Sequence, residues 1–249
     1  MNDLEQVKNF WERNLCLDKF LKERYLTKEY FEESTRLRYK YHHHIPPLVD
    51  RMKKKYPKKN PRLLEIGVGM GTDLQLFSEN GFDVSGIDLT EKAIVTSKAR
   101  FSMYGLDSNL MTGNAEQLTF EDDSFDIVYS FGVLHHTPDI IKACHEIHRV
   151  LKPEGTFLLM LYNSISLNRF AHWVTGIGFD GSKNDPCPIE RSYTKSEVMA
   201  MLSFFERIDI SVDYLFGTGW GKANLFFPKV LHRTLGKIIG WHLIIEAEK

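Results

Sequence analysis

The chain has 249 residues, of which 43% are hydrophobic and 26% charged, a composition typical of a globular domain with one substantial core and some additions. Its formal net charge of -1 gives no general attraction to nucleic acid, so no nucleic-acid partner is predicted. Three cysteines stand far apart without disulfide or metal spacing, and no apolar run reaches the roughly 20 residues of a membrane span, which predicts a cytoplasmic location.

Residues 1–60 precede the first core strand and carry helical patterns, which predict an N-terminal helical cap. Residues 38–44, Arg-Tyr-Lys-Tyr-His-His-His, are dense in aromatic and imidazole groups. Consecutive histidines point in different directions and no carboxylate or cysteine completes a ligand shell, so no metal site is predicted. The lysines among residues 53–59 are interpreted as the solvated end of a helix, with an anion or RNA contact as the alternative.

A glycine-rich stretch at residues 62–73, Arg-Leu-Leu-Glu-Ile-Gly-Val-Gly-Met-Gly-Thr-Asp, follows. A short apolar strand ends in Gly67, Gly69 and Gly71, and a helical pattern begins at once, an arrangement that seats nucleotide-like ligands. The last two glycines are closer together than in a dinucleotide fingerprint, and an acid, Glu65, stands two residues before the first. A dinucleotide oxidoreductase is therefore disfavoured.

Three further stretches come at the ends of predicted strands. Asp88 stands 88 − 67 = 21 residues after the first glycine, a separation that brings a carboxylate against the ribose of a ligand on the loop. Asn114 and Ala115 follow a third short strand, at residues 110–111. An apolar strand running to Tyr129 places residues 130–136 at the carboxyl edge of the sheet, where ligands of open α/β sheets bind.

The second half of the chain adds one turn, one long connection and one amphipathic segment. Residues 152–155, Lys-Pro-Glu-Gly, are predicted to form a type I turn, because a type II turn favours glycine at its third position. The connection at about 163–193 is longer than a minimal sheet needs, and such connections at a ligand edge tend to be functional. An apolar stripe beside basic residues at 225–240 either packs on the protein itself or makes a peripheral membrane contact.

Taken in order, the four stretches of residues 62–73, 83–89, 113–118 and 125–138 resemble the class I S-adenosylmethionine-dependent methyltransferases, and are similar to the ubiquinone and menaquinone type. The resemblance implies an α/β fold with three layers, in which a doubly wound seven-stranded sheet is mostly parallel and its last strand antiparallel. It implies a helical cap or lid at 1–60 and a methyltransferase domain at 61–249, with an acceptor-side insertion at about 163–193. Whether the cap closes over the ligand or packs the helices onto the sheet is left open.

The resemblance also implies a cofactor, S-adenosyl-L-methionine, with S-adenosyl-L-homocysteine as the product. Asp88 would meet the ribose, Asn114 would accept from the adenine amino group where the family usually has aspartate, and the helix N-terminus at Thr72 would favour the methionine carboxylate. The predicted cofactor-binding residues are Glu65, Gly67, Gly69, Gly71, Thr72, Asp88, Leu89, Asn114, Ala115, Glu116 and Phe131.

Methyl transfer from a sulfonium is an in-line displacement, so the protein mainly aligns the reactants and excludes water. A general base is needed only if the acceptor must lose a proton. The candidates are His135, His136, Tyr162 and Tyr41, and the alternative for each is a place in the pocket wall. The predicted acceptor is a small molecule, methylated on oxygen, nitrogen or carbon. The alternatives are an RNA or protein acceptor, or a non-catalytic protein that binds the cofactor.

Overall fold

The structure is a computed structural model that describes residues 2–57, 60–176, 180, 182, 184–215 and 229–249, and describes the backbone alone at Thr175 and residues 229–233. Its helices are α1 Asp3–Arg13, α2 Lys28–Tyr41, α3 Ile45–Lys55, α4 Thr72–Glu79, α5 Glu91–Met103, α6 Ile140–Val150, α7 Leu167–Thr175, α8 Lys195–Met201 and α9 Lys229–Ile239. Its strands are β1 Arg62–Ile66, β2 Asp83–Asp88, β3 Asn109–Thr112, β4 Phe125–Phe131, β5 Leu151–Tyr162, β6 Arg207–Asp213 and β7 His242–Glu248.

Within the described residues, seven strands form one sheet in the order β3-β2-β1-β4-β5-β7-β6. The strands β1 to β5 pair in parallel, and β7 lies antiparallel between β5 and β6. The chain order reverses between β1 and β4, so the carboxyl ends of these two strands border a crevice of the kind that binds ligands in open α/β sheets. The predicted doubly wound sheet with an antiparallel last strand is confirmed.

Apolar side chains pack on both faces of the sheet, because successive side chains of a strand point to opposite sides. On β1, the side chain of Leu63 packs in a cluster with Val49 of α3 and Phe77 of α4. The next residue, Leu64, packs in a second cluster with Ala143 and other residues of α6. Helices thus cover both faces, which gives the three predicted layers.

The N-terminal helices α1 and α2 contact the helices that start at the carboxyl edge of the sheet. The carboxylate of Glu12 in α1 accepts hydrogen bonds from the backbone N–H groups of Glu91 and Lys92, and so caps the start of α5. From α2, the hydroxyl of Tyr39 donates to the carbonyl oxygen of Thr72 at the start of α4. These contacts attach the N-terminal segment to the two helices that follow β1 and β2.

One local prediction differs from the structure. Glu154 has φ +63°, so the third position of the turn at residues 152–155 is left-handed and the predicted type I turn is wrong. The backbone N–H of Glu154 donates to the carbonyl oxygen of Lys249, and that of Lys249 donates to Gly155. The left-handed conformation of Glu154 therefore goes together with hydrogen bonds to Lys249. A prediction from residues 152–155 alone does not include these bonds, because Lys249 is distant in the sequence.

The segment at 225–240 is described in part. Residues 225–228 lie outside the described residues, as do Lys58 and Lys59 of the lysine run. The helix α9 lies against β6, and Ile238 on it is 65% exposed. No helix of the described ranges has the length and apolar character needed to cross a membrane. The peripheral membrane contact stays a prediction.

Candidate active site

A cavity of about 970 Å³ opens at the carboxyl edge of the sheet, under α1 and α2. The predicted site residues that line it are Glu65, Gly67, Gly69, Thr72, Asp88, Leu89, Asn114, Ala115, Phe131, His136 and Tyr162. Among the predicted residues, all of which the structure describes, Gly71, Glu116, His135 and Tyr41 do not line it. Most of the predicted cofactor residues therefore lie together at the cavity. Two of the four predicted bases do not line it.

The loop after β1 has no room for a side chain at two of its three glycines. Gly67 has φ +82°, and a Cβ there would lie 2.2 Å from Cγ2 of Val133. Gly71 has φ +71°, caps α4 and would meet the side chain of Ser97 at 3.0 Å. A Cβ on Gly69, which lines the cavity, would meet no described atom within 4 Å. The loop thus combines two sites of close packing with a backbone segment that is open to a ligand.

Glu65 is a buried acid without a full set of partners. Its side chain is 4% exposed, and Oε2 has no hydrogen-bond partner among the described residues. Burial, together with the nearby carboxylate of Asp73, raises the pKa of Glu65 well above its ordinary value. Because the unpartnered oxygen belongs to a group that lines the cavity, a cationic donor in the cavity would satisfy it.

An ion pair that the sequence did not predict closes one side of the cavity. The guanidinium of Arg38 donates to both carboxylate oxygens of Asp73, and the Tyr129 hydroxyl donates to the same carboxylate at 2.8 Å. The side chain of Asp73 is only 2% exposed. The one available signal was an acid in the first turn after the glycine loop, which usually indicates a solvated partner of the helix dipole.

Asp88 stands where the spacing predicted, at the end of β2. Its Oδ2 accepts a hydrogen bond from the backbone N–H of Gly69 at 3.1 Å, and its Oδ1 accepts from the N–H and hydroxyl of Thr90. Burial raises the pKa of Asp88, and these hydrogen bonds oppose the rise. The carboxylate therefore joins the glycine loop to the start of α5 and also lines the cavity.

Asn114 and Glu116 make hydrogen bonds within the protein that the sequence did not predict. The side-chain oxygen of Asn114, predicted to meet adenine, accepts the backbone N–H of Glu116 at 3.0 Å. The carboxylate of Glu116 accepts the backbone N–H of Asp139 at 2.9 Å, just before α6. Glu116 therefore positions the start of a helix and lies outside the cavity lining, whereas Asn114 and Ala115 line it.

The other half of the cavity is aromatic. The rings of Tyr162 and Trp241 stack with centroids 4.3 Å apart, and Trp11 of α1 contacts the ring of His136 edge-on at 5.0 Å. Further rings and apolar groups on this side that line the cavity are His42, Phe131, Met160, Tyr214 and His242. Apart from Phe131, His136 and Tyr162, the members of this wall were not predicted, because they come from separate parts of the chain.

Of the predicted bases, His136 and Tyr162 line the cavity, and both lie next to Asp180. Tyr162 donates its hydroxyl proton to Oδ2 of Asp180 at 2.7 Å, and Nε2 of His136 lies 3.5 Å from the same oxygen. Burial lowers the pKa of His136, although Asp180 opposes that change. His135 is fully buried, its ring centroid lies 3.9 Å from that of Tyr162, and burial holds its pKa well below the ordinary histidine value.

Residues 64–159 match a protein family described as a methyltransferase domain. The chain is 37% identical over 100 residues to the uncharacterized methyltransferase YcgJ of Bacillus subtilis, covering 40% of each protein. It is 32% identical over 116 residues to 27-O-demethylrifamycin SV methyltransferase of Amycolatopsis mediterranei, covering 45% of this chain and 43% of that protein. The matched segment thus spans less than half the length of these curated relatives.

Solved structures share the fold over a larger part of the chain. The crystal structure of YcgJ superposes with a TM-score of 0.58 at 24% identity, covering 84% of this chain and 99% of that one. A methyltransferase of Thermotoga maritima superposes with a TM-score of 0.59 at 18% identity, covering 97% and 99%. Residues 64–159 thus match a methyltransferase domain, and the chain shares the fold of these solved structures.

Proposed function

We propose that this protein transfers the methyl group of S-adenosylmethionine to a small molecule. The observation that supports the proposal is a single cavity of about 970 Å³ that joins the glycine-loop side to the aromatic wall. Small-molecule and cofactor sites commonly occupy about 300–1,000 Å³, so the cavity has room for the cofactor and a compact acceptor. The cap at 1–60 and the domain at 61–249 remain a proposed division of the chain.

The residues on the glycine-loop side fit the charges of S-adenosylmethionine, which carries a sulfonium, an ammonium and a carboxylate. The unpartnered Oε2 of Glu65 is the acceptor that would hold the ammonium. Asp88 would accept from the ribose hydroxyls, and Asn114 and Ala115 would border the adenine. Arg38, which lines the cavity, is the cation that would meet the carboxylate. The bound cofactor supplies an electrophilic methyl group.

The contribution of the chain to the reaction is then alignment and exclusion of water. The cap is fixed to α4 by the Arg38–Asp73 pair and by the bond from Tyr39 to Thr72, so it covers the cavity from a defined position. The stacked Tyr162 and Trp241 provide a rigid apolar surface against which an acceptor can be held. Orientation of this kind contributes up to about 7–11 kcal/mol to barrier lowering.

The acceptor belongs to a class with apolar or aromatic surface, because the wall opposite the glycine loop is built from rings. Relatives that match the same segment are named for sterols and for demethylrifamycin. An acceptor on RNA has less support, since Lys55 of the lysine run is paired with Glu246 and Glu248. The atom that is methylated is not specified by these residues.

The experiment is a methyl-transfer assay with isotopically labelled S-adenosylmethionine and three acceptor sets: apolar small molecules with hydroxyl, amine or activated carbon groups, total RNA, and denatured protein. We expect label to enter the small-molecule set alone. Efficient labelling of RNA or protein without labelling of small molecules would contradict the proposal. Cofactor binding without turnover on any set would favour the non-catalytic alternative.

A further inference from the structure

Three side chains of metal-ligand type converge at the aromatic end of the cavity, where the sequence predicted no metal site. His135 and His136 lie on the short turn Leu134–His136 that follows β4, and Asp180 comes from the connection after α7. One ligand atom of each lies within 4.8 Å of the others. We propose that His135, His136 and Asp180 bind a divalent transition-metal ion.

His136 is held in the orientation of a ligand. Its Nδ1 lies 2.6 Å from the carbonyl oxygen of Ile189, so this nitrogen carries the proton and donates it. Nε2 then carries a lone pair and no proton. It lies 3.5 Å from Oδ2 of Asp180 and has no hydrogen-bond partner among the described residues. Two electron-rich atoms at this distance repel each other unless a proton or a metal cation lies between them. A backbone carbonyl on the second nitrogen is also what metal-bound histidines have.

Asp180 is positioned by two contacts outside the proposed site. Its backbone N–H donates to the carboxylate of Glu190 at 2.8 Å, and its Oδ2 accepts the hydroxyl of Tyr162 at 2.7 Å. Hydrogen bonds of this kind orient ligating carboxylates in metal proteins. The side chain of Asp180 is 24% exposed and the residue lines the cavity, which leaves a path for an ion to enter.

His135 supplies the third donor. The residue is fully buried, and neither ring nitrogen has a hydrogen-bond partner in the part of the chain that the structure describes. A buried polar group without a partner destabilises the folded protein, and a bond to an ion would remove that cost for one nitrogen. The thiol of Cys187 lies 3.5 Å from Nδ1 of His136, on the side of the ring away from the proposed ion, so it is not counted as a ligand.

The donor set defines the kind of ion. Two imidazole nitrogens and one carboxylate oxygen suit zinc and the neighbouring first-row ions better than magnesium or calcium, which favour oxygen ligands alone. Three protein ligands leave open coordination positions, as in catalytic zinc sites. Since His136 and Asp180 line the cavity, these positions are on the acceptor side.

A role for the ion in catalysis rests on the function proposed above. An acceptor hydroxyl bound to the ion would have a lowered pKa and would release its proton to water. Its oxygen would then form a bond to the methyl carbon while the carbon–sulfur bond breaks and leaves its electron pair on sulfur. His136 would hold the ion in this reaction and would not act as the base.

The test is calorimetric titration of chelator-treated, full-length protein with Zn²⁺. We expect one ion per chain, with affinity reduced by at least about tenfold in Asp180→Asn and in His136→Gln, and by about 10–100-fold in Tyr162→Phe, which removes the bond that orients Asp180. His145→Ala is the matched control, because His145 is an exposed histidine on α6 that stacks on Phe204. Its affinity should equal that of the unmodified protein.

Binding of S-adenosylhomocysteine, measured on the same samples, separates the two proposals and shows that each variant is folded. If the unmodified protein binds S-adenosylhomocysteine but no Zn²⁺, the metal site is excluded and the methyltransferase proposal stands. Equal Zn²⁺ affinity in Asp180→Asn also excludes the site, since the ion then binds elsewhere. Zn²⁺ binding without S-adenosylhomocysteine binding supports the metal site and contradicts the proposed function.

Discussion

Arg38 of α2 and Asp73 of α4 form a buried, two-point ion pair. The Nε of Arg38 lies 3.2 Å from both carboxylate oxygens of Asp73, and its Nη2 lies 2.5 Å from Oδ2. The Tyr129 hydroxyl at the end of β4 completes the environment of the carboxylate. One pair therefore connects the N-terminal segment, the helix after the glycine loop and the central strand, and it fixes the cavity between them.

Replacing Arg38 with alanine should destabilise the protein strongly. The carboxylate of Asp73 would remain buried without its cation, and breaking a buried pair from one side costs about 3–5 kcal/mol. Urea unfolding gives the free energy of unfolding. The matched control is Arg207→Ala, which removes an exposed pair with Asp209 and should cost no more than about 1 kcal/mol. Equal losses in the two variants would show that the buried pair has no special role.

Replacing Gly67 with alanine should abolish cofactor binding. Gly67 has φ +82°, and the new Cβ would lie 2.2 Å from Cγ2 of Val133, so the glycine loop or the segment after β4 has to move. Gly81→Ala controls for backbone strain, because Gly81 has φ +88° and open space around its Cβ position. Titration with S-adenosylhomocysteine should show binding in Gly81→Ala and none in Gly67→Ala. Similar affinities in both would mean that the close approach at Gly67 does not shape the site.

Binding of the cofactor product should release a proton from Glu65. Burial raises the pKa of Glu65 in the free protein, and an ammonium beside the carboxylate lowers it, so affinity should increase as the pH rises through the pKa of the free protein. Calorimetry in buffers of different ionisation enthalpy measures the released proton. Glu65→Gln should lose this pH dependence and bind roughly ten- to a hundredfold more weakly. An unchanged proton release in that variant would assign it to another group.

Asp88 should contribute to affinity through its position at the carboxyl end of β2. Asp88→Ala removes the acceptor proposed for the ribose and the bonds to Gly69 and Thr90, and S-adenosylhomocysteine affinity should fall by about tenfold or more. Asp83→Ala changes an exposed acid at the opposite end of the same strand and should leave affinity unchanged. If the two variants bind equally well, β2 does not present the ligand-binding carboxylate.

The sequence predicted those residues of the cavity whose positions depend on local backbone geometry. The glycines at 67, 69 and 71 and the 21-residue separation to Asp88 determine how a ligand can approach the first two strands. The strand order then follows from the family that these motifs resemble, and the structure confirms it.

The residues of the site that the sequence did not predict are placed there by contacts between distant segments of the chain. Asp73 has the sequence context of a solvated helix start, and only the docking of α2 makes it a buried partner of Arg38. Asp180 lies in a connection without periodicity, so nothing local indicates that it would meet His136 and Tyr162. Tyr41 was predicted as a candidate base, but it does not line the cavity, whereas the neighbouring His42 does.

A crystal structure of the full chain grown with S-adenosylhomocysteine tests the central claim most directly. We expect density for the product in the cavity under α1 and α2, with the ribose at Asp88, the ammonium at Glu65 and the sulfur directed toward the aromatic wall of Tyr162 and Trp241. An empty cavity in crystals that contain saturating product, or density at another surface of the sheet, would contradict it.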